Sequence, residues 1–175
     1  MSDDHLKAAY QELCHSYRAI DDFRAKLLGF LPLATGTGIF LLLGTLADQE
    51  KASLAQEFLP LVGFFGFAIT LGLFCYELYG MRKCHALIDA GRQIETTLGN
   101  SNGRFTTRPR EVVGLINEPF AAGVIYPALL AAWMYFAGVV AWPQSAQLLA
   151  MTVFIGGSAL VSVFSLLLKW GVRWV

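Results

Sequence analysis

Residues 58–98 read FLPLVGFFGFAITLGLFCYELYGMRKCHALIDAGRQIETTL, and this stretch decides the fold. Its first half, Phe58 to Tyr79, is an apolar run with one charged residue, Glu77, near its end. About 20 apolar residues are enough for a helix that crosses a bilayer. The second half has the spacing of a helix that packs on a partner in water, with apolar or small residues at Cys84, Leu87, Gly91, Ile94 and Leu98. We therefore predict one continuous helix that crosses the membrane and extends into the cytosol.

The composition of the whole chain agrees with a membrane protein. Of its 175 residues, 55% are hydrophobic and only 15% are charged, and the mean hydropathy is +0.52. These values are too apolar for an ordinary soluble domain of this length. The N-terminal residues are acidic and polar, so no signal peptide is expected. We predict an all-α integral membrane protein with four transmembrane helices.

Hydrophobic runs, breakers and charges divide the chain into these spans and their connections. The predicted spans are residues 27–46, 58–79, 121–142 and 148–168. An amphipathic cytosolic helix, residues 1–26, precedes the first span, and residues 80–98 continue the second. The remaining segments are an outer loop at 47–57, a basic linker with a short interfacial helix at 99–120, an outer turn at 143–147 and a cytosolic tail at 169–175. Within the linker, Gly99 to Arg108 is predicted to be flexible.

The distribution of basic residues predicts the orientation. With both termini in the cytosol, all of the 13 lysines and arginines except Lys51 lie on the cytosolic side. Cytosolic loops of membrane proteins carry this excess of positive charge. The expected location is the bacterial inner membrane, and the lipid bilayer is the first expected partner. The three cysteines lie on the cytosolic side or at its boundary, where thiols stay reduced.

The two cytosolic helices leave the membrane side by side and are therefore expected to form an antiparallel hairpin. In this arrangement opposite charges face each other along the hairpin, which supports the proposed register of the two helices. The pairs add little stability, because an exposed ion pair contributes only about 0–1 kcal/mol. The expected pairs are Asp22–Lys83, Arg18–Asp89, Glu12–Arg92 and Lys7–Glu95.

Two patterns of polar residues are candidates for chemical sites. Cys14-His15 and Cys84-His85 suggest a metal site, but adjacent helical residues point about 100° apart, so we expect helix packing and no metal or other cofactor.

Glu77 and Glu118 lie at the membrane boundary, where pairing with Arg24, Lys26 or Arg82 is expected. No span has a charged residue near its centre, which argues against a proton-coupled transporter.

The chain lacks the patterns of several other functional classes. It contains no Ser/His/Asp triad, H-x-x-x-H pair, phosphate-binding loop or carboxylate dyad, so we do not expect an enzyme. Direct nucleic acid binding is not expected either.

Two further sets of polar residues are candidates for function. Hydroxyl residues in the spans could line a water-filled pathway in a homo-oligomer, or serve helix–helix contact; they are Ser158, Ser162, Ser165, Thr35 and Thr37. Arginines of the linker could bind anionic lipid headgroups or a phosphate-bearing ligand, or could follow from topology alone; they are Arg104, Arg108 and Arg110.

One arrangement resembles a known family. A helix with the sequence YRAIDDFRAK at residues 17–26 leads into two spans, and a cytosolic helix follows. Over residues 10–98 this is similar to the SLATT-type membrane effectors of bacterial nucleotide-signalling and anti-phage defence systems. The resemblance implies two spans and a cytosolic stalk that oligomerise into a pore when a signal is sensed. The third and fourth spans are additional to that pattern.

The sequence thus leads to two hypotheses about function. The first is an oligomeric inner-membrane channel or pore-forming effector that is gated when its cytosolic hairpin binds a cytosolic protein or a nucleotide-type ligand. The alternative is a non-enzymatic adaptor or structural subunit that docks a cytosolic protein. A small transporter or lipid-handling protein is a third hypothesis.

Overall fold

A computed structural model describes residues 3–47, 52–107 and 118–169, and these residues form an all-α protein. It has four helices in chain order, namely α1 (Asp3–Ala47), α2 (Ala52–Thr97), α3 (Glu118–Ala141) and α4 (Ala146–Lys169). The continuity predicted from residues 58–98 is confirmed, because α2 runs without a break from the apolar half into the amphipathic half. The interfacial helix predicted at residues 109–117 lies outside the described residues.

All four helices are long and apolar enough to cross a membrane, so the chain is a multi-pass membrane protein. The 24 residues of α3 and of α4 measure about 36 Å at about 1.5 Å per residue, which suits one crossing of a hydrocarbon core of about 30 Å. The 45 residues of α1 and the 46 of α2 measure about 68 Å on the same scale. Half of each therefore lies outside the hydrocarbon core.

Within the membrane part, α3 lies between α2 and α4. Glycines allow the helices to approach closely at both contacts. A side chain at Gly66 of α2 would overlap the ring of Trp133, with atoms only 2.4 Å apart. A Cβ atom at Gly157 of α4 would come within 3.0 Å of Pro127. Lipid provides no hydrophobic driving force between helices, so their association depends on close van der Waals packing. Small residues at the contacts permit this close packing.

The first helix is packed less fully than the other three. Among the described residues, α1 packs against α2 and, over fewer positions, against α3. Its membrane half leaves Phe30, Leu33 and Phe40 between 68% and 76% exposed. This half of α1 is therefore attached to the bundle along one side only.

Outside the apolar spans, α1 and α2 meet in a hydrophobic cluster. We call residues 3–26 of α1 and 80–97 of α2 the stalk. Its buried centre consists of Tyr17, Cys84, Ile88 and Phe105. Phe105 comes from the segment that follows α2, residues 99–107, which we call the cap loop.

The cap loop packs against the stalk over residues 99–107, where the sequence predicted a flexible linker. Gly99 ends α2 with a φ of +70°, the left-handed conformation that glycine adopts without strain and that often ends helices. The backbone NH of Thr107 then donates to the carbonyl of Gly103 at 2.9 Å. Phe105 is only 1% exposed, and burial of such a ring is what holds the loop against the stalk.

Candidate functional site

A buried ion pair joins α1 to α2 where the stalk meets the membrane part. The Nε and Nη2 atoms of Arg24 donate to Oε1 of Glu77 at 3.0 and 2.6 Å, and both residues are less than 5% exposed. The third nitrogen of the guanidinium, Nη1, lies 3.7 Å from Sγ of Cys84. Arg24 was one of the three partners expected for Glu77. We call these two residues the boundary pair.

The surroundings of the boundary pair show how the sequence makes room for it. A Cβ atom at Gly80 would lie 3.1 Å from Cδ of Arg24, so the absence of a side chain there accommodates the arginine stem. Burying two charges costs several kcal/mol per ion, which their attraction offsets only with good geometry. The pair is therefore a point where α1 and α2 resist separation, because moving either helix alone would leave a buried charge.

A tyrosine from α3 lies beside the pair. Tyr126 is fully buried, and its ring centroid is 5.6 Å from that of Phe74, one turn before Glu77 on α2. Its hydroxyl has no hydrogen-bond partner within the described part of the chain and lies within electrostatic range of both Glu77 and Arg24. The sequence reasoning missed Tyr126, because no spacing rule relates a tyrosine of α3 to charges on α1 and α2.

A second polar centre lies at the far end of the stalk. The carboxylate of Glu95 accepts hydrogen bonds from the hydroxyl of Tyr10 at 2.6 Å, from the backbone NH of Phe105 at 2.9 Å and from the NH and hydroxyl of Thr106 at 2.8 and 2.6 Å. Glu95 is only 1% exposed. One carboxylate thus joins α1, α2 and the cap loop, and both of its oxygens are satisfied.

Close packing around Phe105 fixes the cap loop in this position. Its ring makes edge-to-face contacts with Tyr10 and Tyr17 of α1, at centroid distances of 5.9 and 5.7 Å. A Cβ atom at Gly91 would lie 2.3 Å from this ring. The carbonyl of Phe105 accepts a hydrogen bond from Nε of Arg92 at 3.1 Å. The loop is therefore held by a ring, a carboxylate and a guanidinium at once.

The hydrogen bonds around Glu95 change the acidity of two groups, both of which lie in the stalk and outside the spans. Burial, and then the hydrogen bond to Glu95, raise the pKa of the Tyr10 hydroxyl from its ordinary 10.0 to about 12. Burial alone would raise the pKa of Glu95. The bonds from Phe105, Thr106 and Tyr10 outweigh it and leave that pKa below its ordinary 4.5, as expected for a carboxylate that accepts several hydrogen bonds.

The charge pairs expected between the stalk helices do not form among the described residues. Arg92 instead lies 3.8 Å from Asp89 of its own helix, and Glu95 is bonded to Tyr10 rather than to Lys7. The other members of the expected pairs are exposed, namely Glu12, Arg18, Asp22 and Lys83. The physical reason is that water solvates long charged side chains at little cost, whereas Tyr10, Tyr17, Cys84 and Ile88 gain free energy by facing inward.

The cysteines of the two Cys-His dipeptides take part in the packing of the stalk. Cys84 is buried in the stalk and Cys14 is partly buried, and both belong to the apolar cluster around Phe105. Across residues 3–47, 52–107 and 118–169, no group of three or more His, Cys, Asp and Glu side chains is placed to hold a metal ion.

The hydroxyl residues proposed to line a pathway have different surroundings. Ser162 and Thr37 are exposed and donate to carbonyls of their own helices, at Ser158 and Leu33, both at 2.9 Å. Thr35 is 6% exposed, and Ser165 is partly buried. The hydroxyl of Ser158 is buried and has no partner among residues that the structure describes. Among the described residues α1 and α4 do not contact each other, so Thr35 and Thr37 lie apart from the three serines.

Of the linker arginines, Arg104 is exposed on the cap loop, while Arg108 and Arg110 lie outside the described residues. Arg104 follows Gly103, where a Cβ atom would lie 2.0 Å from Cδ of Glu95. The cap loop thus presents Arg104 to solvent on a fixed backbone. The signal that could have located this loop is Phe105, an aromatic residue within a polar, glycine-containing segment.

Comparison with family models, with curated proteins and with solved structures finds no match to this chain.

Proposed function

We propose that the chain is a subunit of an oligomeric membrane channel that is opened through its stalk, which lies in the cytosol as a helical hairpin extending the first two spans. One observation carries this proposal. Both α1 and α2 pass without a break from the stalk into the membrane part, and the boundary pair links them at the junction. A change at the end of the stalk is then transmitted into the spans, because a continuous helix moves as a rigid element.

The face that α1 leaves uncovered supports the oligomer. Gly29, Leu33, Gly36, Phe40 and Gly44 recur at spacings of three and four and therefore share one side of the helix. A Cβ atom at any of these glycines would meet nothing within 4 Å in the described residues. A second copy of the chain fits this surface, because large side chains alternate with small ones that permit close approach.

The cap loop supports a regulated opening. It holds both stalk helices through Glu95 and Phe105, and it presents the exposed Arg104 beside them. A cytosolic protein or a nucleotide-type ligand that bound the loop would act on both helices together. The resemblance to SLATT-type effectors, and with it a place in bacterial defence at the inner membrane, belongs to this proposal.

The proposal is tested by reconstituting the purified full chain in liposomes and measuring ion flux beside the oligomer mass in detergent. Because the ligand is unidentified, the cap loop is released by Glu95→Gln, with Asp89→Asn as the control for removing an exposed carboxylate from the same helix. We expect an oligomer, and a flux that Glu95→Gln changes at least about tenfold while Asp89→Asn does not. A folded oligomer without flux in all three proteins would contradict the channel.

A second function is favoured by a different observation. The exposed charged side chains of the stalk lie on its outer surface. There they form a charged surface that a cytosolic protein can bind. An adaptor that uses this face needs no pore and no ring of subunits. A monomer or compact dimer in detergent that conducts no ions would favour the adaptor, and charge reversal at Arg18 and Asp22 would then abolish capture of its partner.

A further inference from the structure

A groove runs along the membrane surface of the bundle between α4 and the cytosolic end of the second span. Its volume is about 770 Å³, and it is open along one side. The lining is apolar along α4, including Gly156, Leu160, Phe164 and Leu167, and Arg82 of α2 is the charged residue that the described part of the chain contributes to it. A volume of this size is in the range of small-molecule sites, about 300–1,000 Å³.

We propose that this α4 groove binds one anionic phospholipid, with an acyl chain along α4 and the phosphate at Arg82. The proposal is independent of whether the chain is a channel or an adaptor.

The dimensions of the groove fit a lipid of one leaflet. From Gly156 to Leu167 the lining of α4 covers about 16 Å at about 1.5 Å per residue. This is close to half of a hydrocarbon core of about 30 Å. Arg82 lies three residues beyond Tyr79, the end of the predicted span, which places its guanidinium at the depth of the headgroups.

The side chains fit the two parts of such a lipid. Leu160 is 51% exposed, and a Cβ atom at Gly156 would meet no atom within 4 Å among the described residues, so this wall of the groove has room for an acyl chain. A guanidinium binds phosphate through two parallel hydrogen bonds, which an ammonium group cannot match. Charge and shape therefore select an anionic headgroup with a chain attached, rather than a free anion or a neutral lipid.

The experiment measures binding of phosphatidylglycerol to the purified full chain in neutral detergent. Retained lipid is counted by native mass spectrometry, and phosphatidylcholine with the same chains and inorganic phosphate serve as comparisons. We expect one retained phosphatidylglycerol, weaker retention of phosphatidylcholine and no effect of phosphate. Arg82→Gln should weaken binding by about ten- to a hundredfold, the effect of losing a charge-assisted hydrogen bond.

Two matched controls separate the groove from general electrostatics and from loss of structure. Lys83→Gln removes a neighbouring exposed charge at the same depth and should leave binding unchanged. Gly156→Leu fills the groove and should abolish retention, while Gly72→Leu, at an equally open position of α2 within the described residues, should not. The second pair keeps the test decisive even if Arg82→Gln does not fold.

Three results would overturn the lipid site. Equal losses in Arg82→Gln and Lys83→Gln would mean that only bulk charge attracts the lipid. Unchanged retention in Gly156→Leu would place the lipid elsewhere. An oligomer that falls apart in Gly156→Leu, with no lipid retained by the wild type, would show that a second copy covers the groove instead.

Discussion

Arg24 and Glu77 are 53 residues apart in the chain, yet Nη2 of the arginine lies 2.6 Å from Oε1 of the glutamate, and their side chains are 5% and 1% exposed. The contact fixes the position along the helix axes at which α1 packs on α2. It also leaves each residue dependent on the other, because an isolated charge in this position has neither water nor a counterion. This dependence can be measured.

Replacing either member of the boundary pair alone should destabilise the protein strongly. Arg24→Met and Glu77→Met are each expected to cost about 3–5 kcal/mol of unfolding free energy, since a buried charge is left without its partner. The double variant should recover most of this loss, because both charges are gone. Thermal or denaturant unfolding in detergent checks this, with the exposed Lys83→Met as control. A double variant as unstable as the sum of the singles would count against the pair.

Glu95→Gln should release the cap loop. The substitution removes the charge that accepts bonds from Tyr10, Phe105 and Thr106, and each charge-assisted bond contributes about 1.5–3 kcal/mol. We expect trypsin to cut after the exposed Arg104 at least about tenfold faster than in the wild type. Asp89→Asn, an exposed carboxylate on the same helix, should leave the rate unchanged; an equal rise in both variants would refute a specific role for Glu95.

Acid should open the same loop. The folded pKa of Glu95 lies below the ordinary 4.5, so its stabilising effect is complete above pH 4.5 and is lost as the pH falls through the folded value. Hydrogen exchange of the amides of residues 99–107, corrected for the intrinsic pH dependence, should rise in this window. Glu95→Gln should remove the dependence, and a profile that stays flat in the wild type would contradict it.

Alkaline pH should act through Tyr10. Its pKa is raised from 10.0 to about 12 in the folded protein, so the neutral phenol stabilises the stalk below pH 10 and this contribution disappears as the pH approaches 12. Ultraviolet absorbance should report a late titration step near pH 12, and Tyr10→Phe should abolish that step. Tyr79→Phe, which removes a phenol exposed at 61%, should leave the late step in place.

The glycines of α2 should differ sharply in tolerance. A methyl group at Gly66 would lie 2.4 Å from the ring of Trp133, whereas at Gly72 it would meet nothing within 4 Å in the described residues. Gly66→Ala is therefore expected to cost about 1–3 kcal/mol through overpacking. Gly72→Ala should be neutral or stabilising by up to about 1 kcal/mol, because it only removes backbone freedom. Comparable unfolding midpoints for the two variants would mean that α2 and α3 cross elsewhere.

The amino-acid sequence by itself determined the helical class, the number of apolar segments and the continuity of α2. These depend on local periodicity and length, which residues 58–98 contain in full. A hydrophobic run of about 20 residues forms a helix in lipid with little help from its neighbours, because a helix pairs the backbone groups within the segment itself.

Only the tertiary structure decided which residues make contact. The pattern of charges predicted Lys7 opposite Glu95, but Tyr10, one turn further along, occupies that position, and residues 99–107 fold back on the stalk rather than hang free. Such contacts depend on the apolar surface that α1, α2 and the cap loop bury together, which no single segment of the sequence contains. A single exposed ion pair contributes too little to direct the packing, whereas one buried ring such as Phe105 contributes enough to fix a loop.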